Sequence, residues 1–442
     1  MIKIIRSGDP FFSVRNIPDR FYWEHPNPGE NLEVLIQRMK KEKCLSVPYA
    51  EYLFSSESDG LKFIEENLKS VCDVHLYCRN LLLPEVVLRY SVISSDTEGY
   101  EVFSEDVKNL GFSESAASAI FNNIRGIPFS NVSGIINSCK SMDEKNAVDF
   151  VLETKRNLLR QNETLEVVHM QGAASDIGGL SVLKKWIVDR RDNFTDKARD
   201  YGIPVPKGML MLGVQGCGKS LTAKVTANIW NFPLVRLDFV NLFKQGRSVE
   251  ELIKEAVFIA EGFAPMVLWI DEIEKALSQE SQSAEIQRVL GWLMTWMQEK
   301  TAPVFLVATA NRVKMLPPEL LRKGRFDEIF FVDLPSVQER LDIFRIHISK
   351  RDRDPEKYDI EKLANMADNF SGSEIEMCLV NAMISDFGKN RELSQKSIEE
   401  SIRNTVPISV TYEENIKDLR IWSRNRARNA SGNVRLESFF KK

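Results

Sequence analysis

The sequence predicts an α/β fold: a wedge of parallel strands with its polar groups gathered at one edge, a small helical lid after it, and a smaller α/β domain before it. Three observations predict this. At residues 208–221 an apolar run stops at a glycine-rich turn and then enters a helix-forming stretch. Two further apolar runs, 266–270 and 303–310, end in polar side chains, as buried parallel strands do where the sheet's C-terminal edge meets solvent. Beyond residue 336 the apolar spacing becomes helical.

Composition bounds the rest. The chain has 442 residues, 43% hydrophobic and 28% charged, with a net charge of −4, which fits a globular protein of several domains and gives no overall sign of a nucleic-acid or anionic-membrane partner. No apolar run reaches the ~18 residues that cross a bilayer, and residues 1–6 are too short for a secretory core, so no membrane partner is expected. The expected location is cytoplasmic, or plastid stroma if the chain is organelle-encoded. Cys44, Cys72, Cys78, Cys139, Cys217 and Cys378 are scattered, which argues against a disulfide framework and for a reducing compartment. Cys72, His75 and Cys78 lie in a strand-like stretch without a second ligand pair, so no metal site is expected there.

Residues 1–170 read as an N-terminal recruitment domain. Residues 32–43 and 60–70 have helical spacing, and 44–47, 74–77 and 86–93 look like strands. From 103 to 160 the pattern is helical, with Ser104 as a candidate N-cap that lacks the acidic residue three positions on, and an amphipathic face over 113–121. Phe11, Phe12, Phe21, Tyr22 and Trp23 read as packing groups. No catalytic constellation appears in this part.

The chemistry begins after it. Gly213, Gly218, Lys219 and Ser220 fill the pattern G-x-x-x-x-G-K-[ST], with Gln215, Gly216 and Cys217 inside the loop and Leu221 just beyond. Bare glycine backbones let several N–H groups close around phosphate oxygens at a helix N-terminus; Lys219 then reaches the β- and γ-phosphates of ATP and Ser220 holds Mg²⁺. Some fifty residues on, the apolar run at 266–270 ends in Asp271 and Glu272. At a strand's C-terminal end, Asp271 can order Mg²⁺ through water while Glu272 activates the water that attacks the γ-phosphate. The run at 303–310 ends in Asn311, placed to orient that water, and Arg322 and Arg325 stand three apart before a last apolar strand at 329–332. Such arginines stabilise charge on a transferring phosphoryl group, often from a neighbouring subunit.

With these motifs in order, residues 176–431 resemble an AAA+ ATPase of the classical AAA clade, a P-loop fold with a parallel-sheet wedge and a small helical lid. Within it, the runs 267–276 and 316–335 resemble the ATPase encoded by a hypothetical open reading frame of algal plastids and cyanobacteria. The resemblance implies that Lys219 and Ser220 are Walker A, Asp271 and Glu272 Walker B, Asn311 sensor 1, and Arg322 with Arg325 fingers acting on a neighbour. It further implies that Ile177 and Gly178 line the adenine pocket, that His347 contacts the nucleoside, and that Gly372 and Ser373 match the lid's Gly-Ala pair. A hexameric ring would follow. The lid lacks the arginine typical of clamp loaders, and no His-Glu-x-x-His protease signature is present. Phe243 stands near the pore-loop position, with Gly246 out of its usual spacing, which weakens the case for threading.

The expected division is therefore 1–170, a nucleotide-binding domain over 171–335, a lid with C-terminal helix over 336–431, and a tail over 432–442. Lid helices are expected at about 336–350, 360–368 and 373–389. A last helix at about 412–428 carries Arg420, Arg424, Arg426 and Arg428, read as a solvated face. In the tail, Leu436, Phe439 and Phe440 fall on one helical face and resemble a sliding-clamp-binding peptide, with Asn433 where glutamine is usual; the alternative is a tail packed back on the lid. The expected function is Mg-ATP-driven remodelling of a protein or protein–nucleic-acid substrate. The alternatives are a slowly cycling nucleotide-gated recruitment module and a DNA replication or repair accessory ATPase.

Overall fold

The computed structural model describes residues 2–6, 28–47, 53–70, 72–78, 91–95, 103–127, 129–160, 164–168, 178–238, 248–276, 284–322 and 324–432, with Ala50, Leu83 and Val87. The chain divides into two compact units, one of Met1–Val167, Asn231–Met266 and Thr301–Val304, the other of Val168–Trp230, Val267–Lys300 and Phe305–Lys442.

In the first unit, β1 (Ile2–Arg6), β2 (Cys44–Val47), β3 (Asp73–Cys78) and β4 (Ser91–Ser95) form a parallel sheet in the order β2-β3-β1-β4. The helices Pro28–Met39 and Glu57–Lys69 bury Leu32, Leu35 and Phe63 with Leu45, Val74 and Leu76, in a core that also takes Phe258 from the helix Val249–Gly262. The helices Glu114–Ile124, Phe129–Cys139 and Glu144–Leu159 gather around Ile120, Ile124, Val132, Ile136 and Val151. Beside them Lys155 is wholly buried; its Nζ donates to the carbonyls of Asn122 and Pro265, both at 3.3 Å, and burial holds the amine well below its ordinary value. A short β5 (Glu166–Val167) pairs antiparallel with β7 (Leu234–Arg236).

Two local expectations are corrected here. Ser104 is the first residue of the helix Ser104–Lys108 rather than its cap, and no side chain caps that helix. Without an acidic residue three positions on, a hydroxyl has no reciprocal partner to hold the cap geometry. The strand expected over 86–93 is Ser91–Ser95, with Val87 already helical.

In the second unit, five strands run in the order β11-β10-β6-β9-β8: β6 (Gly208–Gly213), β8 (Met266–Ile270), β9 (Val304–Ala310), β10 (Glu328–Val332) and β11 (Arg428–Asn429). β6 lies between β9 and β10 in parallel register, Leu210 facing Ala308 on one side and Ile329 on the other. β6, β8 and β9 are buried along their whole length, which explains their unbroken apolar sequences. Trp186 and Trp230 pack edge-on against Phe330 and Phe305 of this sheet, with Trp230 and Phe305 centroids 4.7 Å apart.

The lid follows β10. Its helices Val337–Ser349, Ile360–Met366, Gly372–Phe387 and Gln395–Asn404 enclose Phe344, Leu363, Ile375, Leu379 and Ile398. Arg340 is buried at the lid's root with its guanidinium donating to the carbonyls of Ala364 (2.7 Å) and Pro335 (2.9 Å) and paired with Asp368 at 3.0 Å. The last helix is Glu413–Ser423, shorter than expected, so that Arg424, Arg426 and Arg428 follow it, and Arg420 within it does not face solvent. Arg420 grips Asp333 through Nε and Nη2 at 2.8–3.0 Å, and Arg428, in β11, lies over the Phe330 ring. Among the described residues, no helix is long and apolar enough to cross a membrane. Leu436, Phe439 and Phe440 lie outside the described residues, as do Phe243 and Gly246.

Candidate functional site

The edge of β6 builds the site's floor. Gly213 ends the strand so close to β10 that a Cβ there would stand 2.0 Å from the carbonyl oxygen of Val332. Gly216 (φ +77°) and Gly218 (φ +91°) take left-handed backbone that other residues resist, and a chain curled this way turns successive N–H groups to one side. The helix Lys219–Trp230 starts directly after. Lys219 is buried, its Nζ donating to the carbonyls of Gly213 (2.9 Å) and Val214 (2.7 Å); burial depresses the amine to about 8. Burial pushes the neighbouring Cys217 thiol up to about 12, so it is not a nucleophile near neutral pH.

The ends of β8 and β9 supply a connected set of polar groups. Ser220 Oγ donates to Asp271 Oδ1 at 2.9 Å, and Thr309 Oγ1 donates to the same oxygen at 2.6 Å. The Thr309 hydroxyl accepts from the Glu272 amide at 2.8 Å, and Asn311 Nδ2 donates to Glu272 Oε1 at 2.9 Å. Glu272 sits at φ +48°, a conformation costly for a residue with a side chain, held here by these bonds and by an ion pair with Lys275. Behind it the buried Glu274 accepts the Asn311 amide at 2.7 Å, and burial raises its carboxyl above the usual range. Ser220 and Asp271 together offer hard oxygen donors of the kind Mg²⁺ prefers.

The lid closes the other side. Ser371 caps the helix Gly372–Phe387 in a capping box with Glu374, and the Ser373 amide donates to the Gly216 carbonyl at 3.0 Å. The lid's first turn therefore rests on the phosphate-loop backbone, close enough that a Cβ on Gly216 would fall 2.1 Å from Ser373 Oγ. On the lid's first helix, His347 is mostly enclosed, which lowers its imidazole; Nδ1 lies 3.4 Å from Glu376 Oε1. Opposite it, Gly178 approaches Ile343 so closely that a Cβ would be 2.7 Å from Ile343 Cγ1.

These surfaces enclose a cavity of about 330 Å³. Of the residues singled out in the sequence, Gly178, Gln215, Gly216, Cys217, Gly218, Lys219, Ser220, Leu221, Asp271, Glu272, Asn311, His347, Gly372 and Ser373 all line it. Gly213 lies just behind, at the wall of an adjoining cavity of about 490 Å³. Ile177 falls outside the described residues. Arg322 and Arg325 are not brought to the cavity: Arg322 lines a separate groove with Trp422 and Arg426, and the Arg325 Nε is buried with no acceptor.

Sequence reasoning missed Thr309, Glu274, Leu180, Asp333, Glu339 and Ser431. Thr309 stands two residues before Asn311 on a strand and therefore shares its face, a signal that would have found it. Glu339 was legible as the fourth residue of the capping box opened by Ser336, though not as a site residue. Nothing local marks Ser431.

Residues 209–334 match the family model described as ATPase family associated with various cellular activities (AAA). The chain is 43% identical over 335 residues to the "uncharacterized AAA domain-containing protein ycf46" of Pyropia yezoensis, covering 73% of this chain and 68% of that protein. The protein of the same name in Guillardia theta is 43% identical over 298 residues, covering 66% of this chain and 58% of its own length. A proteasome-activating nucleotidase of Methanococcus vannielii is 32% identical over 257 residues, covering 55% of this chain and 62% of that protein.

Proposed function

This chain belongs to the AAA family of ATPases, and from its site we propose that it hydrolyses Mg-ATP, works as a ring of identical chains, and uses the cycle to remodel a protein substrate. The observation that carries the reading is the unbroken hydrogen-bonded run Ser220–Asp271–Thr309–Glu272–Asn311, which links a metal-holding hydroxyl to a carboxylate able to take a proton from water. The glycine loop cradles the phosphates through its N–H groups, and Lys219, released from the Gly213 and Val214 carbonyls, turns to the β- and γ-phosphates. Ser220 and Asp271 would hold Mg²⁺, which would neutralise charge on the β- and γ-phosphates. Glu272 acts as general base on the attacking water, and Asn311 fixes the carboxylate's direction. Gly178, Ile343 and His347 take the nucleoside end, while Gly372 and Ser373 bring the lid onto the loop. A protein substrate is supported by the likeness to proteasome-activating nucleotidases.

The test separates binding from turnover. Lys219→Ala is expected to abolish ATP binding, because it removes the charge that meets the phosphates; Glu272→Gln should bind ATP but lose hydrolysis by 10²-fold or more, on the order expected for a lost general base. A Glu272→Gln protein that hydrolyses ATP near the parent rate overturns the assignment.

A further inference from the structure

The nucleoside wall of the cavity is not self-supporting. Its loop at 178–180 has two glycines and, in Leu180, a residue at φ +54°, so its shape must be imposed from outside. The imposing group is Glu339. Its Oε1 accepts the Leu180 amide at 3.1 Å and the Ser431 hydroxyl at 2.6 Å, and its Oε2 accepts the amide (2.9 Å) and hydroxyl (3.0 Å) of Ser336. Gly179 (φ +71°) lies directly on this carboxylate: a Cβ there would meet Oε1 at 2.3 Å. One anion thus joins three separate pieces of chain, the loop, the start of the lid and the C-terminal segment.

That C-terminal segment is itself anchored to the site's frame. Arg420 grips Asp333, which lines the cavity; the Ala430 amide donates to the Phe331 carbonyl at 2.9 Å, and the Ala430 carbonyl accepts the Leu183 amide at 3.1 Å. Ala430 is fully buried, and Ser431 follows with its side chain in the cavity wall. The family match ends at residue 334, so both Glu339 and this strap lie outside it.

We infer that Glu339 and Ser431 are positioning residues that let the chain's own C-terminal strap set the affinity of the nucleoside wall, through the 178–180 loop. The inference rests on the proposed ATP site. Glu339, with four donors already on its two oxygens, has no need of a ligand contact to act; it holds the loop and lid helix at one distance. Nucleotide binding in turn firms the strap, because linkage between two sites is reciprocal.

The test uses the full chain, ATP, and two variants. Ser431→Ala removes one hydrogen bond to a carboxylate without touching the lid's cap, and is expected to raise KM for ATP about three- to tenfold, with kcat affected far less. Glu339→Gln, which replaces an acceptor oxygen by a donor amide, should raise KM further. Amide hydrogen exchange over 428–432 should slow on adding ATP in the parent and lose that response in Ser431→Ala, a change that a merely stabilising role would not produce. The inference is overturned if the parent binds ATP but Ser431→Ala keeps its KM, or if exchange at 428–432 ignores ATP. A parent that does not bind ATP would instead overturn the functional reading beneath it.

Discussion

Lys219 is a lysine in a place that resists its charge. Burial brings its amine to about 8, from an ordinary value of 10.5, and in the absence of phosphate its partners are two carbonyl oxygens. Phosphate oxygens would favour the charged form and raise the amine again, so above pH 8 binding must take up a proton. The lysine's contribution to ATP affinity is therefore expected to be constant below about pH 8 and to fall as pH rises from 8 towards 10. Calorimetry at pH 9 in two buffers of different ionisation enthalpy would read the proton directly; proton release, or none, contradicts the picture. The same shift acts on folding without nucleotide. Because the folded value lies below the unfolded one, the unfolded chain holds more protons between 8 and 10.5, and this residue's contribution to stability grows as pH rises through that window and is lost as it falls through 8.

At the scale of elements, the C-terminal helix is where local pattern and structure part. Arginines in a sequence read as solvated because a charge run seldom has a buried partner, and Arg424 and Arg426 are indeed exposed. Arg420 is not, because its partner Asp333 lies 87 positions away at the end of β10, beyond the reach of any periodicity. Ile416 joins Val214 and Leu334 beside it and Asp418 pairs with Lys314, so the helix docks by the Arg420 grip, an apolar contact and a more exposed ion pair. Both side chains of the Arg420–Asp333 pair are about four-fifths enclosed, 21% and 18% exposed, which places the interaction above a surface ion pair. A double-mutant cycle with Arg420→Ala and Asp333→Ala is expected to give a coupling of about 1–2 kcal/mol in denaturant unfolding; a value near zero would mean the helix is held by its apolar contacts and the Asp418–Lys314 pair instead. What was legible follows the same division. The loop at 213–220, the carboxylates at 271 and 272 and the asparagine at 311 announce themselves because phosphate chemistry needs those residue types at strand ends. Ser431 and Glu339 do not, since they work through contacts made only once the chain has folded back. Strands β6, β8, β9 and β10 were legible from unbroken apolar runs, whereas β1, β11 and the helix Gln395–Asn404 were not: in that helix the apolar positions are few, Ile398 and Ile402 among charged neighbours.

For the molecule as a whole, the placement of Arg322 and Arg325 carries the argument. A site that must stabilise charge on the γ-phosphate has, among the described residues of its own chain, one buried lysine and no arginine lining the cavity. Arg322 lines a different groove, and the Arg325 Nε is buried with no acceptor, a cost for a polar group unless something else completes it. In the proposed ring, a neighbour's cavity completes it: each chain supplies guanidinium groups to the next. Activity should then belong to the interface rather than to the chain, so ATPase per chain is expected to fall as the protein is diluted through its dissociation range. Mixing supplies the sharper measurement. Arg325→Ala chains keep a working pocket and lack the finger; Lys219→Ala chains keep the finger and lack the pocket. Each alone should be close to inactive, but in mixed rings a Lys219→Ala chain can present Arg325 to an intact pocket next door, and a fraction of the sites should recover. Random mixing in equal amounts places the productive order at about a quarter of the interfaces, so recovery should approach, at most, about a quarter of the parent rate, each such site working at the full single-site rate. Recovery that fails while the two variants still co-assemble would mean that the arginines act within their own chain after a movement of the loop that carries them.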